Sequence, residues 1–298
     1  MTHEKKEIDI LFEERDGIHI NMQGKDRDNL GRKKELKVAC FYEGFEVESI
    51  NKITGEIRYS CKNKRSLCGF EKSESFLKRK EEYIERIYKI KDLLPRVINS
   101  DGAYWCKFDK DWHFNTYLQL DKFHVFQAIA RGKLSKKQQE EIKNLIRSNK
   151  PRLAIEMLEN IYKDNKRYKR NTKINANYQL LHYLKENERA LIPYTKNKKF
   201  MRLLSTKLPK NTILKDLSTM ESTVQSLVAL RMKKRKCSFI KEGAIALCNI
   251  IILKREKRLD EKIFSLEKKD NDDITKECAI PVLNKGLEII SDLKKYSS

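Results

Sequence analysis

The sequence predicts an α/β protein, a strand-bearing part flanked by helices and interrupted by an all-helical module. Three observations carry this expectation. Apolar residues alternate with polar ones at Ile8, Ile10 and Phe12 and again at Ile18, Ile20 and Met22, the period of a half-buried strand. Two later strand patterns each end in an acid, Asp101 and Asp121, and the second runs straight into a helical pattern; strand, acid, helix is the arrangement of a site at the strand ends of an α/β sheet. Only 10 Gly and 5 Pro punctuate 298 residues, too few turn formers for an all-β sandwich or barrel.

Taken in order, the two alternating runs are separated by Asp16-Gly17, a short hairpin signal, and residues 36–42 are a β-branched and aromatic run. Residues up to about 48 therefore read as a three-stranded antiparallel meander, with 24–34 as a polar connection and a weaker strand over 55–59. From 73 to 91 the period changes to that of a helix: Leu77, Ile84, Ile87 and Tyr88 recur on one side, behind Ser73 as N-cap. Residues 96–102 are a short apolar strand closing on Asp101-Gly102, and 117–121 repeats the pattern before a helix that begins Lys122-Phe-His124. The stretch from 135 to about 191 is helical throughout, with Ser135 and Gln138 as a capping box, Pro151 in the first turn of another helix and a third starting at Tyr178. Residues 221–232 form an amphipathic helix whose stripe is Met220, Val224, Leu227 and Val228, with Glu221 at its edge and therefore partly buried. A helical hairpin over about 240–266, an acidic break at Asp270-Asn-Asp-Asp273 and a C-terminal helix close the chain.

Lys and Arg number 65 against 43 Asp and Glu, a net charge of +22, and the pI is about 9.6. Such an excess favours a polyanion, because each cation that neutralises a phosphate releases a condensed counterion. The competing reading is an A/T-rich coding bias, which raises Lys, Asn and Ile everywhere. Seven irregularly spaced Cys read as reduced thiols and a cytoplasmic location. The N-terminus has no apolar signal core, and the apolar run 243–253 is too short to span a bilayer and holds Asn249, so neither secretion nor membrane insertion is expected.

Asp16, Asp101 and Asp121 each terminate a strand pattern, and Glu221 follows on a helix. Carboxylates converging from separate elements are what a two-metal phosphoryl-transfer site requires, since hard Mg²⁺ or Mn²⁺ prefers oxygen ligands and keeps several waters. Taken singly, Asp16 and Asp101 also suit turns. Residues 12–23, 35–44, 99–105, 120–124 and 219–233, in that order, resemble the bacterial ISLre-type DDE transposases. The resemblance implies an RNase H-like mixed sheet flanked by helices, with Asp16 on the first strand, Asp101 after the fourth and Glu221 on a late helix as the DDE triad holding Mg²⁺ or Mn²⁺.

It divides the chain into a first part of the catalytic core at 1–134, a helical insertion at 135–210, the end of the core carrying the third acid at 211–255, and a C-terminal helical extension at 256–298. Asp121 and His124 are similar to a D-x-x-H element of related transposases and take a supporting role; an N-cap aspartate and a packed histidine are the plainer reading. The implied partners are DNA, as transposon ends and target, and further copies of the chain. Against the family, the chain is short before its first catalytic strand, Arg15 replaces a small residue, and Ser238-Phe239 stands where Trp-Ser is usual. Three readings follow: a transposase catalytic domain that cleaves DNA and transfers strands, a catalytically inactive nucleic-acid-binding remnant, or an RNase H-like nuclease that only cuts and differs from the first in substrate alone.

Glu242 competes with Glu221 as third acid, although beside Gly243 it reads as a helix N-terminal acid. Lys166, Arg167, Tyr168, Lys169 and Arg170 form one basic cluster, and Arg231, Lys233, Lys234, Arg235 and Lys236 another. Phosphate contact, with Tyr168 stacking on a base, is set against a solvated helix face. Cys61 and Cys68 lack a second ligand pair for zinc, and no Gly-rich phosphate loop or Ser/His/Asp signature is present.

Overall fold

The computed structural model describes all residues except 1–3, 92, 108–112, 114, 168–170, 218, 234–236 and 261–298. After a two-residue β1 (Lys6–Glu7), β2 (Leu11–Met22) runs unbroken through Asp16-Gly17, so the expected hairpin does not form. The reason lies in phase: Phe12, Ile18 and Ile20, all buried, keep the same parity across the pair, and one continuous strand can bury them on one face. Gly17 fits because a Cβ there would collide with the Glu35 carboxylate.

α1 (Gly24–Leu30) occupies the connection read as a loop, and β3 (Lys33–Tyr42) follows where expected. β4 (Phe45–Ile50) and β5 (Ile57–Cys61) pair antiparallel as a separate hairpin. Its turn is closed by Asn51, whose Oδ1 accepts from the Ile53 and Thr54 N–H groups at 2.9 and 3.1 Å, and by Gly55 at φ +70°. Next come β6 (Arg65–Gly69), α2 (Ser73–Ile87), β7 (Tyr88–Lys89), β8 (Arg96–Ser100), α3 (Tyr104–Lys107) and β9 (Thr116–Leu120). α4 (Lys122–Arg131), α5 (Lys136–Arg147), α6 (Pro151–Arg167) and α7 (Asn171–Glu186) make the helical run, then two 3₁₀ turns (Glu188–Leu191, Tyr194–Lys196) and α8 (Lys198–Lys207). α9 (Met220–Val224) widens into a π-helical stretch (Gln225–Lys233), followed by β10 (Ser238–Phe239) and α10 (Lys241–Arg255). The second arm of the late hairpin beyond Asp260 and the C-terminal helix lie outside the described residues.

The main sheet is mixed, in the order β6-β3-β2-β8-β9 with β10 beside β2, and the chain is shared between two compact units. The first comprises residues 1–15, 42–63 and 81–219. In it β2 pairs parallel with β8, Arg15 opposite Ser100, and β8 parallel with β9, Ser100 opposite Leu120. Phe12, Tyr42, Val97, Tyr194 and Phe200 form one apolar cluster, and Val125, Ile129, Ile142, Ile146, Leu158 and Leu184 the core of the helical module. The capping box is present at α5: Ser135 Oγ accepts from the Gln138 N–H and Gln138 Oε1 from the Ser135 N–H.

The second unit comprises residues 16–41, 64–80 and 220–298. Here β3 pairs antiparallel with β6, Ala39 opposite Leu67, and β10 pairs parallel with the end of β2, Phe239 opposite Met22. Ile18, Ile20, Leu36 and Val38 from the strands pack with Val224, Leu227 and Val228 of the α9 and π-helical run and with Ala244, Cys248 and Ile252 of α10. Each large apolar side chain buried this way contributes about 1.5–3 kcal/mol.

Candidate functional site

In the second unit Asp16 is buried on β2, and its Oδ1 accepts from the adjacent Gly17 N–H at 2.7 Å. Glu221 stands in the first turn of α9. A carboxylate oxygen of each lies within 4.8 Å of the other, although the two residues are remote in sequence. Glu221 is exposed, where the sequence predicts it partly buried. Met220, Thr223 and Val224 take the inward positions of this turn, which leaves Glu221 on its outer side. Two hard oxygen donors at this spacing suit Mg²⁺ or Mn²⁺, which need few protein ligands.

In the first unit Asp101 follows β8 directly. Its Oδ1 accepts from the Ala103 N–H at 2.8 Å, its carbonyl accepts from the Tyr183 hydroxyl at 2.9 Å, and Gly102 turns the chain at φ +88°. Burial, reinforced by the negative charges of Asp101 and Asp121, pushes the Tyr183 phenol well above its ordinary range. Asp121 caps α4 by accepting from the Phe123 N–H at 2.9 Å, and its other oxygen accepts from Asn99 Nδ2 at 3.3 Å. Burial raises its pKa above the usual carboxylate value, and the nearby Glu14 adds to this; the Phe123 N–H, His124 and Asn99 act in the opposite direction. His124 lies half-buried in the first turn of α4, its ring edge-on to Phe123 at 5.4 Å.

Glu242 sits exposed in the first turn of α10, the helix-terminal position its sequence suggests. Among the described residues, Asp101, Asp121 and Glu242 belong to no set of three or more converging ligand atoms. Lys166 and Arg167 end α6, and Arg231 and Lys233 lie on the π-helical stretch; all four are exposed. Tyr168, Lys169, Arg170, Lys234, Arg235 and Lys236 lie outside the described residues.

Sequence reasoning misses the polar network of the first unit. Glu14, fully buried on β2, accepts from Tyr42 Oη at 2.8 Å, Asn99 Nδ2 at 3.1 Å and Thr219 Oγ1 at 2.5 Å. Asn99 Oδ1 accepts from Gln119 Nε2, and Gln119 Oε1 from the Tyr194 N–H. On the other parity of β2, Arg15 donates to Glu13 at 2.7 Å and to the Cys106 carbonyl at 3.0 Å. Arg96 bridges Glu13 and Glu81. The bulk of Arg15 beside Asp16 is thus absorbed by buried ion pairs. A Glu at position 14, in phase with Phe12 and Ile18, was the available signal: a charge on the core face of a strand requires partners.

A family model described as an uncharacterised protein family, UPF0236, matches residues 1–269. The chain belongs to UPF0236. Two curated UPF0236 proteins of Caldanaerobacter subterraneus subsp. tengcongensis are similar to it, one whose name carries eleven locus designations and one named TTE2489; each is 26% identical over 129 residues, 43% of this chain. The matched segment spans 25% of the length of these relatives. No helix among the described residues of this UPF0236 chain is long and apolar enough to cross a membrane.

Proposed function

We propose that this UPF0236 protein is a DDE-type transposase catalytic domain of the ISLre kind, with an RNase H-like core, acting on DNA with Mg²⁺ or Mn²⁺. The observation that carries the reading is the approach of the Asp16 and Glu221 carboxylates to within 4.8 Å. In this reading Asp16 and Glu221 bind the ion, Asp101 is the second acid of the triad, and Asp121 and His124 support it. In a two-metal site of this kind, one ion would activate the attacking hydroxyl and the other would offset charge on the leaving oxygen.

DNA as partner is supported by the net charge of +22 and by exposed Arg231 and Lys233 on the helical run that carries Glu221. Phosphate contacts from such side chains fix register without reading sequence. A relative whose name spans eleven loci is also in keeping with an element that multiplies within a genome. A cytoplasmic location and a homo-oligomer on paired DNA ends belong to the same proposal. One observation favours the second reading, an inactive nucleic-acid-binding remnant: the Asp101 carboxylate accepts from its own loop at the Ala103 N–H.

The deciding experiment gives the purified chain a labelled duplex with Mg²⁺ or Mn²⁺, beside Asp16→Asn and Asp101→Ala variants. Nicking that falls at least about a hundredfold in both variants is expected, the scale of losing a group used in the transition state. Duplex binding without any nicking that depends on these residues would leave the remnant reading standing and refute the enzyme.

A further inference from the structure

We propose that Glu14 is a positioning residue whose buried carboxylate clasps Thr219 and thereby sets Glu221 opposite Asp16. The inference rests on the reading of Asp16 and Glu221 as the metal-holding pair, and it concerns how that pair is held.

Glu14 is 0% exposed, and its carboxylate gathers donors from three separate elements. Oε1 accepts from Thr219 Oγ1 at 2.5 Å and from Tyr42 Oη, on β3, at 2.8 Å. Oε2 accepts from Asn99 Nδ2, on β8, at 3.1 Å, and the Thr219 N–H is shared between both oxygens at 3.1 and 3.3 Å. Burying a carboxylate is costly unless it is fully hydrogen-bonded, and charge-assisted bonds of this kind are about twice as strong as neutral ones. Thr219 therefore engages Glu14 through both its backbone and its side chain, just where the chain enters α9.

Spacing ties this clasp to the acid pair. Glu14 precedes Asp16 by two residues on β2, so their side chains leave the strand on the same face, about 7 Å apart along it. Thr219 precedes Glu221 by two residues as well. Glu14 with Thr219 and Asp16 with Glu221 are thus successive rungs between the same two chain segments. A Glu221 that stands exposed at a helix start, with rotamers open to solvent, gains a fixed root from the rung below it. Loosening that rung frees Glu221 to drift from Asp16 and weakens any ion that both must hold.

The test is a titration of the 298-residue chain with Mn²⁺ alone, free Mn²⁺ being read by electron paramagnetic resonance, with thermal unfolding of each metal-free variant as the fold control. Wild type, Asp16→Asn, Thr219→Val, Thr219→Ser and Glu14→Gln are compared. Asp16→Asn is expected to abolish saturable binding. Thr219→Val and Glu14→Gln are each expected to weaken it roughly tenfold, the usual effect of removing a partner that orients a ligand, and Thr219→Ser, which restores the hydroxyl, to recover it. A purely structural role would lower the unfolding temperature and leave the affinity of the folded protein unchanged. Wild-type affinity in Thr219→Val and Glu14→Gln alongside loss in Asp16→Asn would overturn the clasp and spare the metal pair. Failure of the wild type to bind Mn²⁺, or binding indifferent to Asp16→Asn, would overturn the pair and this inference with it. If Thr219→Val does not fold, Glu14→Gln, which keeps the side-chain shape, decides the question alone.

Discussion

Replacing Arg96 by Met probes whether the charges sealed within the first unit depend on one another. Arg96 is 1% exposed, and its Nη1 donates to Glu13 at 3.2 Å and to the two Glu81 oxygens at 3.0 and 2.8 Å. With the guanidinium gone, Glu13 keeps Arg15 at 2.7 Å. Glu81 loses the Nη1 that donates to both of its oxygens, and the His113 ring, 3.4 Å away, lacks hydrogen-bond geometry. Removing one member of a buried pair costs up to about 3–5 kcal/mol. Arg96 Nε and Nη2 have no hydrogen-bond partner among the described residues, so the native arrangement already carries unsatisfied donors. The lower end, about 3 kcal/mol, is therefore expected.

At about 2–4 °C per kcal/mol for a chain of this size, the unfolding midpoint should fall by roughly 6–12 °C. Urea unfolding followed by circular dichroism measures the free energy, and an unchanged denaturant slope would show that the unfolded state is the same. The double variant Arg96→Met, Glu81→Leu removes both charges and should regain most of the loss. A single-variant loss below about 1 kcal/mol would refute the reasoning, since Glu81 would then be satisfied without Arg96.

Two further outcomes follow from the same geometry. The raised pKa of Asp121 means that the folded protein holds this proton more tightly than the unfolded chain does. Its contribution to stability is complete below the unfolded value, 3.8, and is lost as pH rises through the higher folded value. Asp121→Asn, which can still cap α4, should therefore be at least as stable as wild type at neutral pH, with any advantage vanishing below about pH 4; a variant less stable at neutral than at acid pH, relative to wild type, would contradict the burial argument. Ser135→Ala removes the acceptor of the Gln138 N–H at 3.2 Å and should cost about 1 kcal/mol in thermal or urea unfolding.

What was legible in the sequence was local. Ser135 with Gln138, Pro151 at a helix start, and the strand-then-acid patterns at Asp101 and Asp121 each depend on residues within a turn or two of one another, and all four are found where the sequence puts them. Asp16-Gly17 misled because a turn dipeptide was weighed above the unbroken parity of the flanking apolar residues, and burial of Ile18 and Ile20 decides for the strand. β4 carries Glu46 and Glu48 and is mostly exposed, so it has no buried apolar face to announce it. The Asp16 and Glu221 pair was legible only through resemblance, and the Glu14 and Thr219 bond not at all, because hydrogen bonds between remote segments leave no period in the chain. The exposure of Glu221 went unforeseen because the stripe residue Met220 and the unremarked Thr223 turn inward ahead of it.

The three-segment construction of the second unit bears on how the protein is made. Its strands from residues 16–41 emerge from the ribosome early, yet the helical segments that cover Ile18, Ile20, Leu36 and Val38 begin only at residue 220. At 5–20 residues per second that interval lasts roughly 10 to 35 s. During it a nascent chain carries an apolar strand surface with no native cover, a standing target for holding chaperones and for neighbouring chains on the same messenger. The helical module at 122–186, whose apolar contacts are drawn from nearby sequence, is free to fold in the meantime. Synthesis halted before residue 220 would therefore yield a folded helical module attached to uncovered strands, a species that should collect in the insoluble fraction.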